Sequence, residues 1–429
     1  MSELPSSASV LVIGAGVHGL STAWHLARKG TDVLVVDKTG VAAGASGIAC
    51  GVVRNNYFQP AMAELMAACV EIWESDPEAF RYHGSGYIAL GPAAQEQDLV
   101  EVHERHQRIG YDSELVTGED DVAAHMRALY PDWRAKGLTV CLHEHRGGFA
   151  FNKESMLGLA DKARAAGARI AEGVEVTGFE RDGSGAVTTV HTSAGDVAVD
   201  QVVVAVGPWI AGLWEMLGLP ETLDVHQPDG GVARDVPMWT YWYLQEGESV
   251  FDPGIFTTAD GKLSPVLHVD SDAPLHADDG TLITDEAWGV YFKPDRDSIQ
   301  GGASPLTVGP EFTVDPYPTG TVEQDFPDLW CASLSHCLAR FEGARDRYRQ
   351  VRSGGVGAFT ADNFPVFDYM RPNVFVAADS NHGYKMIAVG REIARVLGGE
   401  HSALLHPFRY ERFATGDLHP VSNSPYPWS

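Results

Sequence analysis

Residues 9–19 read SVLVIGAGVHG, an apolar run followed by glycines at positions 14, 16 and 19. The apolar run predicts a buried strand, and the segment LSTAWHLARKG after it has the periodicity of a helix. A second apolar run, DVLVVD, ends at Asp37, eighteen residues past the last glycine. In this context Gly14 permits a tight turn, Gly16 lets the backbone approach a pyrophosphate, and Gly19 lets helix and strand pack closely. The motif predicts a dinucleotide-binding unit with Asp37 placed for the ribose hydroxyls, and it leaves FAD and NAD both open.

Two later segments favour FAD over NAD. Residues 167–209 read as a strand, a small β-meander and a buried strand that ends in the turn GPW. An NAD-binding domain normally continues with alternating β and α units, whereas an inserted meander is typical of FAD-binding folds of the glutathione-reductase type. Residues 374–390, VFVAADSNHGYKMIAVG, then form a second strand, turn and helix about forty residues from the C-terminus. Too few residues follow to build another domain, so this late turn must serve a domain that began earlier.

Composition narrows the class of protein further. The chain has 429 residues, enough for two domains, and its net charge of −27 disfavours binding to phosphate backbones and anionic lipid surfaces. The five cysteines lack the spacing of a disulfide scaffold. No run approaches the roughly eighteen apolar residues of a membrane span, and MSELPSSAS lacks a signal-peptide pattern. These features predict a cytoplasmic protein that binds neither nucleic acid nor membranes.

Six motifs carry a family resemblance: VIGAGVHGLSTAWHLARKGTDVLVVDK, GASGIACGVVRNNY, GVEVTGFE, VVVAVGPWI, YFKPDRDSIQGGAS and SNHGYKMIAVG. In order and spacing, over nearly the whole chain, they resemble the D-amino-acid oxidase-like flavoproteins, in particular the sarcosine oxidase and dimethylglycine dehydrogenase branch. The resemblance implies an α/β (α+β) fold, with a discontinuous glutathione-reductase-type Rossmann FAD-binding domain and an antiparallel β-sheet substrate-binding domain. The predicted FAD-binding domain comprises residues 1–85, 146–222 and 311–429, and the substrate-binding domain comprises residues 86–145 and 223–310.

Two cationic residues are the candidate catalytic groups. Residues 44–57, GASGIACGVVRNNY, are a run of small residues that ends near Arg54. Small residues let a backbone lie close to a planar ring, and a guanidinium offers a bidentate fork for a carboxylate. Lys385 offers a second, point-like positive charge. The resemblance implies that Arg54 and Lys385 hold the substrate carboxylate over the flavin.

The cofactor contacts follow from the glycine motif and from the resemblance together. The late segment SNHGYK is expected to form the turn that passes over the isoalloxazine ring. The predicted FAD-binding residues are Gly14, Gly16, Val17, His18, Gly19, Asp37, Lys38, Ala45, Ser46, Val176, Gly207, Asn381, His382, Gly383, Tyr384 and Lys385.

The chain departs from the family pattern at informative positions. Gly355 stands where cysteine-linked members carry the flavin-bearing cysteine, and GASGIACG lacks the histidine of histidine-linked members, so FAD is expected to bind non-covalently. Gly357 in place of an aromatic residue, and Ser304 where some members have histidine, suggest a pocket larger than N-methylglycine needs. Gln300 occupies the position of an oxygen-assisting lysine, and Lys293 lies seven residues earlier. Reactivity with oxygen is therefore left open.

Two segments contain metal-type residues but favour other interpretations. HVDSDAPLHADD, residues 268–279, reads as a polar loop without ligand periodicity. HEHRGG, residues 143–148, resembles a turn leading back to the FAD domain and not a pair of histidine ligands. No metal is predicted.

The resemblance implies an FAD-dependent oxidase or dehydrogenase of a secondary or tertiary amine that carries a carboxylate, such as sarcosine or a larger N-alkyl amino acid. Hydride transfer to flavin N5 would give an imine, which water hydrolyses to an aldehyde and a dealkylated amine, with oxygen or another acceptor taking the electrons. Three alternatives stay open. They are an FAD-dependent 2-hydroxy-acid dehydrogenase, the flavin subunit of a multi-subunit dehydrogenase complex, and an NAD-dependent dehydrogenase.

Overall fold

The computed structural model describes residues 4–303, 306–309, 314–315, 322–349, 355–378 and 382–422. Within these residues the helices are α1 Val17–Ala27, α2 Ala45–Ile48, α3 Pro60–Ser75, α4 Glu96–Ile109, α5 Glu119–Leu129, α6 Asn152–Ala165, α7 Ile210–Met216, α8 Phe326–Cys337, α9 Ala388–Leu397 and α10 Arg412–Thr415. The strands are β1 Ser7–Ile13, β2 Val33–Asp37, β3 Val52–Val53, β4 Tyr82–His83, β5 Tyr87–Gly91, β6 Ser113–Thr117, β7 Val140–Glu144, β8 Gly148–Ala150, β9 Arg169–Glu172, β10 Val176–Arg181, β11 Val187–Thr192, β12 Gly195–Val204, β13 Thr222–His226, β14 Val232–Pro237, β15 Thr240–Tyr243, β16 Glu246–Val250, β17 Val266–Ser271, β18 Leu275–His276, β19 Leu282–Thr284, β20 Trp288–Pro294, β21 Ser298–Ala303, β22 Leu306–Gly309, β23 Tyr348–Arg349, β24 Val356–Phe359, β25 Val366–Arg371 and β26 Val374–Ala378.

The first large sheet contains the glycine motif. Its order is β10-β11-β12-β1-β2-β9, and β26 pairs with both β12 and β25. The β12, β1, β2 and β9 strands pair in parallel, as do β26 and β12, whereas β10 and β11 form an antiparallel meander with β12. The late strand β26 thus returns the C-terminal part of the chain to a sheet that begins at residue 7. This confirms the predicted discontinuous Rossmann fold.

The apolar run of β1 is continuous because both faces of the strand are buried. Val10 and Val12 belong to the core formed with helices α1, α3, α6 and α9. Leu11 and Ile13 point to the other face, where a second core lies against α7 and the meander. Parallel strands with both faces covered read as uninterrupted apolar runs, which explains why the fold could be predicted from this segment.

The second large sheet has the order β23-β16-β21-β20-β17-β5-β7-β6. All of its pairings are antiparallel except that of β17 with β5, which is parallel. The predicted antiparallel sheet is therefore present, with one parallel junction. That junction joins the two separate segments that build the sheet, because no hairpin connects β5 to β17.

The predicted division of the chain into domains stays a prediction, and one segment bears on its last boundary. Helix α8 and strand β23 fall within residues 311–429, which were assigned to the FAD-binding domain. In the structure α8 belongs to the hydrophobic core of the second sheet, and β23 pairs with β16. Packing thus associates residues 326–349 with the second sheet, because the buried aromatic face of α8 has its partners there.

The segment at residues 268–279 differs from the predicted polar loop. Its first residues lie in β17, where His268 and Asp270 alternate with the buried Leu267 and Val269. The polar residues face a cavity inside the protein and not solvent, so their polarity gave a misleading signal for a loop. The prediction of a loop at His268 is wrong.

Glycine at position 390 is required where α9 crosses α1. A Cβ atom at Gly390 would lie 2.3 Å from the backbone nitrogen of Thr22 and 2.4 Å from the carbonyl carbon of Ser21. We expect Gly390→Ala to lower the free energy of unfolding by about 1–3 kcal/mol, since the contacted atoms are backbone and cannot rotate away. Gly212→Ala in α7 is the matched control, because no atom lies within 4 Å of its Cβ. Urea denaturation of both variants measures the difference, and equal stability would contradict the expectation.

Candidate active site

A cavity of about 1030 Å³ runs from the carboxyl ends of β1, β2 and β12 to the face of the second sheet. Ligands of open parallel sheets bind at this edge. Pockets for single small ligands usually occupy about 300–1,000 Å³. The cavity therefore lies just above the upper end of this range.

The glycine turn brings backbone close to backbone at one end of the cavity. Gly14 has a φ of +106°, and a Cβ there would lie 2.3 Å from the carbonyl oxygen of Ala205. A Cβ at Gly19 would lie 1.9 Å from the carbonyl oxygen of Gly14, so this glycine allows α1 to pack on β1. Helix α1 begins at Val17 with Gly16 as its N-cap and no side-chain cap. From outside the helix, Ser46 Oγ accepts the Val17 N–H at 3.2 Å, and the positive dipole end of α1 favours a phosphate at this terminus.

Asp37 holds the same turn in place. One carboxylate oxygen accepts the backbone N–H of Ala15 at 2.8 Å, and the other accepts those of Thr39 and Gly40 at 2.9 and 2.8 Å. Each carboxylate oxygen can accept more than one hydrogen bond, so a ribose hydroxyl is compatible with this geometry. The predicted ribose contact of Asp37 stays a prediction.

The residues of this groove fit FAD. The cradle consists of close-packed glycines, a helix N-terminus and a carboxylate at the end of β2, which are the features that bind a pyrophosphate and an adenosine ribose. Of the predicted cofactor-binding residues, Gly19 packs beneath the turn. Asn381 lies outside the described residues, as does Ser304. The predicted site residues that line the cavity are Gly14, Gly16, Val17, His18, Asp37, Lys38, Ala45, Ser46, Arg54, Val176, Gly207, His382, Gly383, Tyr384 and Lys385.

The two predicted clamp residues meet on one aromatic ring. The guanidinium carbon of Arg54 lies 5.1 Å from the ring centroid of Tyr57, and the Lys385 Nζ lies 6.0 Å from the same centroid. Both cations line the cavity. They come from chain positions more than 300 residues apart, so only the fold brings them together. Their joint positive charge suits an anionic group of a small molecule.

Arg54 is held by a chain of hydrogen bonds from the second sheet that the sequence did not reveal. Its Nη1 donates to the Tyr87 hydroxyl at 3.1 Å, and this hydroxyl lies 2.6 Å from His268 Nδ1. His268 Nε2 lies 3.0 Å from an Asp270 carboxylate oxygen, whose partner oxygen accepts from Gln95 at 2.6 Å. Arginine only donates and a carboxylate only accepts. The chain is satisfied when Tyr87 donates to Nδ1 and His268 carries its proton on Nε2.

The charge of Arg54 is secured by its surroundings. Burial works against the charged guanidinium, but Tyr87, Tyr57 and Glu144 outweigh that effect and raise the Arg54 pKa above its ordinary value. Glu144 is fully buried and accepts the backbone N–H of Asn55 at 2.7 Å and the Tyr111 hydroxyl at 3.0 Å. Burial raises the Glu144 pKa to about 7, against these hydrogen bonds and Arg54. Arg54 thus stays cationic, next to a carboxyl group that is only partly ionised near neutral pH.

The turn that carries Lys385 is fixed by two helices. The Trp73 indole in α3 donates to the Lys385 carbonyl at 2.9 Å and stacks on Tyr384, with ring centroids 5.4 Å apart. The Tyr384 hydroxyl lies 2.6 Å from Ser155 Oγ in α6. These contacts to α3 and α6 fix the backbone of Lys385 and the ring of Tyr384.

Glu246 is one of several acidic residues that line the cavity. Glu246 on β16 accepts the Cys50 backbone N–H at 3.0 Å and the Tyr291 hydroxyl at 3.3 Å. Gln300 donates to the other Glu246 oxygen at 3.4 Å. Lys293 is buried 3.5 Å from Asp295 and does not line the cavity. In β16 the glutamates stand at alternate positions, 246 and 248, and this pattern is the sequence signal that could have revealed Glu246.

The fold and this cavity define a dinucleotide-binding protein of the glutathione-reductase type, whose second sheet contributes to the cavity that Arg54 and Lys385 line. Comparison with known proteins is consistent with that class. Residues 9–396 match the family model described as DAO, FAD dependent oxidoreductase. The chain belongs to this family, which confirms the predicted resemblance and the class of FAD-dependent oxidoreductase.

Individual relatives cover less of the chain. Sarcosine oxidase subunit beta of Arthrobacter sp is 28% identical over 240 residues, which are 52% of this chain and 57% of that protein. Peroxisomal sarcosine oxidase of Homo sapiens is 24% identical over 214 residues, 49% of this chain and 53% of that protein. The chain therefore spans about half the length of the curated relatives that it matches.

Solved structures match over almost the whole chain. L-proline dehydrogenase from P. horikoshii superposes with a TM-score of 0.76 at 19% identity, covering 97% of this chain and 100% of that one. Glycine oxidase from Geobacillus kaustophilus gives a TM-score of 0.70 at 20% identity, covering 94% and 98%. At these identities the likeness establishes the fold.

None of the helices in the described part of the chain has the length and apolarity that crossing a membrane requires. The cytoplasmic location stays a prediction.

Proposed function

We propose that this chain oxidises a secondary or tertiary amine that carries a carboxylate, such as an N-alkyl amino acid, with FAD bound non-covalently. The observation that carries the proposal is the pair of cations on the Tyr57 ring, in a cavity continuous with the dinucleotide groove. Arg54 would bind the substrate carboxylate through two N–H groups of its guanidinium, and Lys385 would add a second positive charge.

The chemistry that FAD would supply when bound is acceptance of a hydride from the carbon next to the substrate nitrogen. The residues of the chain would bind and orient the substrate. The Tyr87–His268–Asp270 chain keeps the Arg54 fork in one rotamer, and the anchored turn fixes Lys385. Tyr241 and Trp242 on β15 add aromatic surface to the same cavity. Positioning of this kind supplies much of the rate of such reactions.

The names of similar proteins favour this substrate class. The relatives are named sarcosine oxidases, and the similar structures are titled L-proline dehydrogenase and glycine oxidase. All of these names refer to amino acids, and two of the three substrates have a secondary amine. Each substrate pairs a carboxylate with a nitrogen next to an oxidisable C–H bond, which is what a two-cation clamp would align.

The test is a visible spectrum of the purified protein before and after anaerobic addition of a panel of N-methyl amino acids. We expect flavin bands that one member of the panel bleaches, and admission of air then shows whether oxygen is the acceptor. Bleaching by 2-hydroxy acids alone would favour the hydroxy-acid dehydrogenase. Absence of flavin, even after reconstitution with FAD, would overturn the proposal.

The flavin subunit of a larger complex is a second candidate, favoured by the similarity to a protein named sarcosine oxidase subunit beta. Turnover of the purified chain with an artificial acceptor, but not with oxygen, would support it.

The same preparation tests whether the flavin is covalently attached. Acid precipitation should release all of the flavin into the supernatant, since Gly355 offers no thiol. Flavin retained in the pellet would contradict non-covalent binding.

A further inference from the structure

A cluster of three metal-type side chains lies outside the cavity. Glu114 on β6, His125 on α5 and His143 on β7 each offer one donor atom, and all these atoms lie within 4.8 Å of one another. None of the three lines the cavity of the candidate active site. The cluster is therefore independent of the proposed oxidation.

The fold itself assembles the cluster. Glu114 and His143 are directly paired across the β6–β7 ladder, so their side chains share one face of the sheet. His145 follows two residues after His143, and their ring centroids lie 4.6 Å apart. Its Nε2 lies 3.9 Å from a Glu114 oxygen. Helix α5 crosses this face at the edge strand and brings His125 to 5.6 Å from His143, centroid to centroid.

Two imidazole nitrogens in the cluster have no partner. His125 Nε2 and His143 Nδ1 are buried and make no hydrogen bond within the described residues. Leaving a buried polar atom unsatisfied costs about 1–3 kcal/mol, so such atoms mark a site for an unseen ligand. In the tautomer that carries its proton on the other ring nitrogen, each of these atoms offers a lone pair to a cation.

We propose that Glu114, His125 and His143 bind a divalent transition-metal ion of the Zn²⁺ class. Two imidazoles and one carboxylate are a ligand set that zinc accepts, with the fourth position left for water or another side chain. Bonds of about 2.0–2.1 Å place tetrahedral donors roughly 3.4 Å apart. The exposed Glu114 side chain is free to rotate inward to reach that spacing.

The proposal departs from the sequence-based expectation of no metal. The motif HEHRGG contains only one of the three ligands, His143. The ligand His125 lies on a helix, eighteen residues earlier in the chain. No local spacing motif relates them, so only the packing of α5 on β6 and β7 reveals the cluster. A bound ion would tie the edge strand of the second sheet to the helix that covers it.

The experiment uses full-length protein without a polyhistidine tag, stripped with a chelator and titrated with Co²⁺. Tetrahedral Co²⁺ absorbs in the red, where oxidised flavin does not. We expect saturation at one ion per chain, displacement by Zn²⁺, and affinity reduced by more than about tenfold in His125→Ala and in His143→Ala. Zn²⁺ should also raise the unfolding temperature of the wild type but not of these variants.

Two further variants keep the test decisive. Glu114→Gln changes an exposed side chain, so it should fold normally and still bind the ion more weakly. His191→Ala removes an exposed histidine paired with Asp196 on the first sheet, 2.8 Å away, and should leave the affinity unchanged. No saturable cobalt spectrum, or wild-type affinity in Glu114→Gln and both histidine variants, would overturn the proposal.

Discussion

Replacing Arg54 with methionine should lower kcat/KM for an N-alkyl amino acid by about 30- to 5,000-fold. This range corresponds to about 2–5 kcal/mol for truncating one partner of a desolvated charge pair. Methionine keeps an unbranched, flexible side chain but removes the guanidinium, whose Nη1 donates to the Tyr87 hydroxyl. The substrate carboxylate would then face only Lys385. Steady-state kinetics with the substrate identified by flavin bleaching measure the effect.

Two comparisons separate this role from a structural one. Arg54→Lys keeps the charge but loses the bidentate geometry, so it should retain more activity than Arg54→Met. Arg234→Met is the control, since Arg234 is exposed and pairs with Asp224 on a separate two-stranded sheet. A neutral amine that lacks the carboxylate should react equally with wild type and Arg54→Met. Wild-type kcat/KM for the amino acid in Arg54→Met would show that Arg54 does not bind the carboxylate.

The part of the fold that sequence could predict is the part governed by local backbone requirements. The turn at Gly14 needs a positive φ and a close approach to Ala205. Only glycine tolerates both, so the residue type itself indicates the turn. Strands β1 and β26 are buried on both faces and read as apolar runs. Arg54 and Lys385 could be named because both stand within recognisable motifs.

The remainder of the site depends on pairings between distant segments. Tyr87 and His268 meet because β5 and β17 pair in parallel, in a register that places Ile88 opposite Leu267. Nothing near either residue in sequence signals this register. Glu144 likewise looks like an ordinary polar residue of a turn, although the fold buries it behind Arg54. Side chains that act through long-range strand pairing were therefore missed, whereas those in local turns were found.

Replacing Arg412 with methionine should lower the free energy of unfolding by about 3–5 kcal/mol, because it leaves the Asp362 carboxylate buried without its partner. The two side chains are 0% and 4% exposed. The Arg412 Nε and Nη2 atoms each donate to one Asp362 oxygen at 2.8 Å, and Nη2 also donates to the Phe364 carbonyl at 2.9 Å. Phe364 stacks on His382 beside the cavity. The pair thus supports the turn that leads to Lys385.

The expected loss can be checked by urea denaturation and by acid titration. Burial opposes the charged form, yet the hydrogen bonds and charge of Arg412 outweigh it and hold the Asp362 pKa below its ordinary 3.8. A lowered carboxyl pKa contributes stability that is present above pH 3.8 and is lost as pH falls through the folded-state value. This acid-dependent contribution should be absent in Arg412→Met. Arg234→Met, in an exposed pair, should change stability by about 0–1 kcal/mol. If Arg412→Met unfolds like this control, the buried pair does not hold the loop, and the placement of His382 must rest on apolar packing alone.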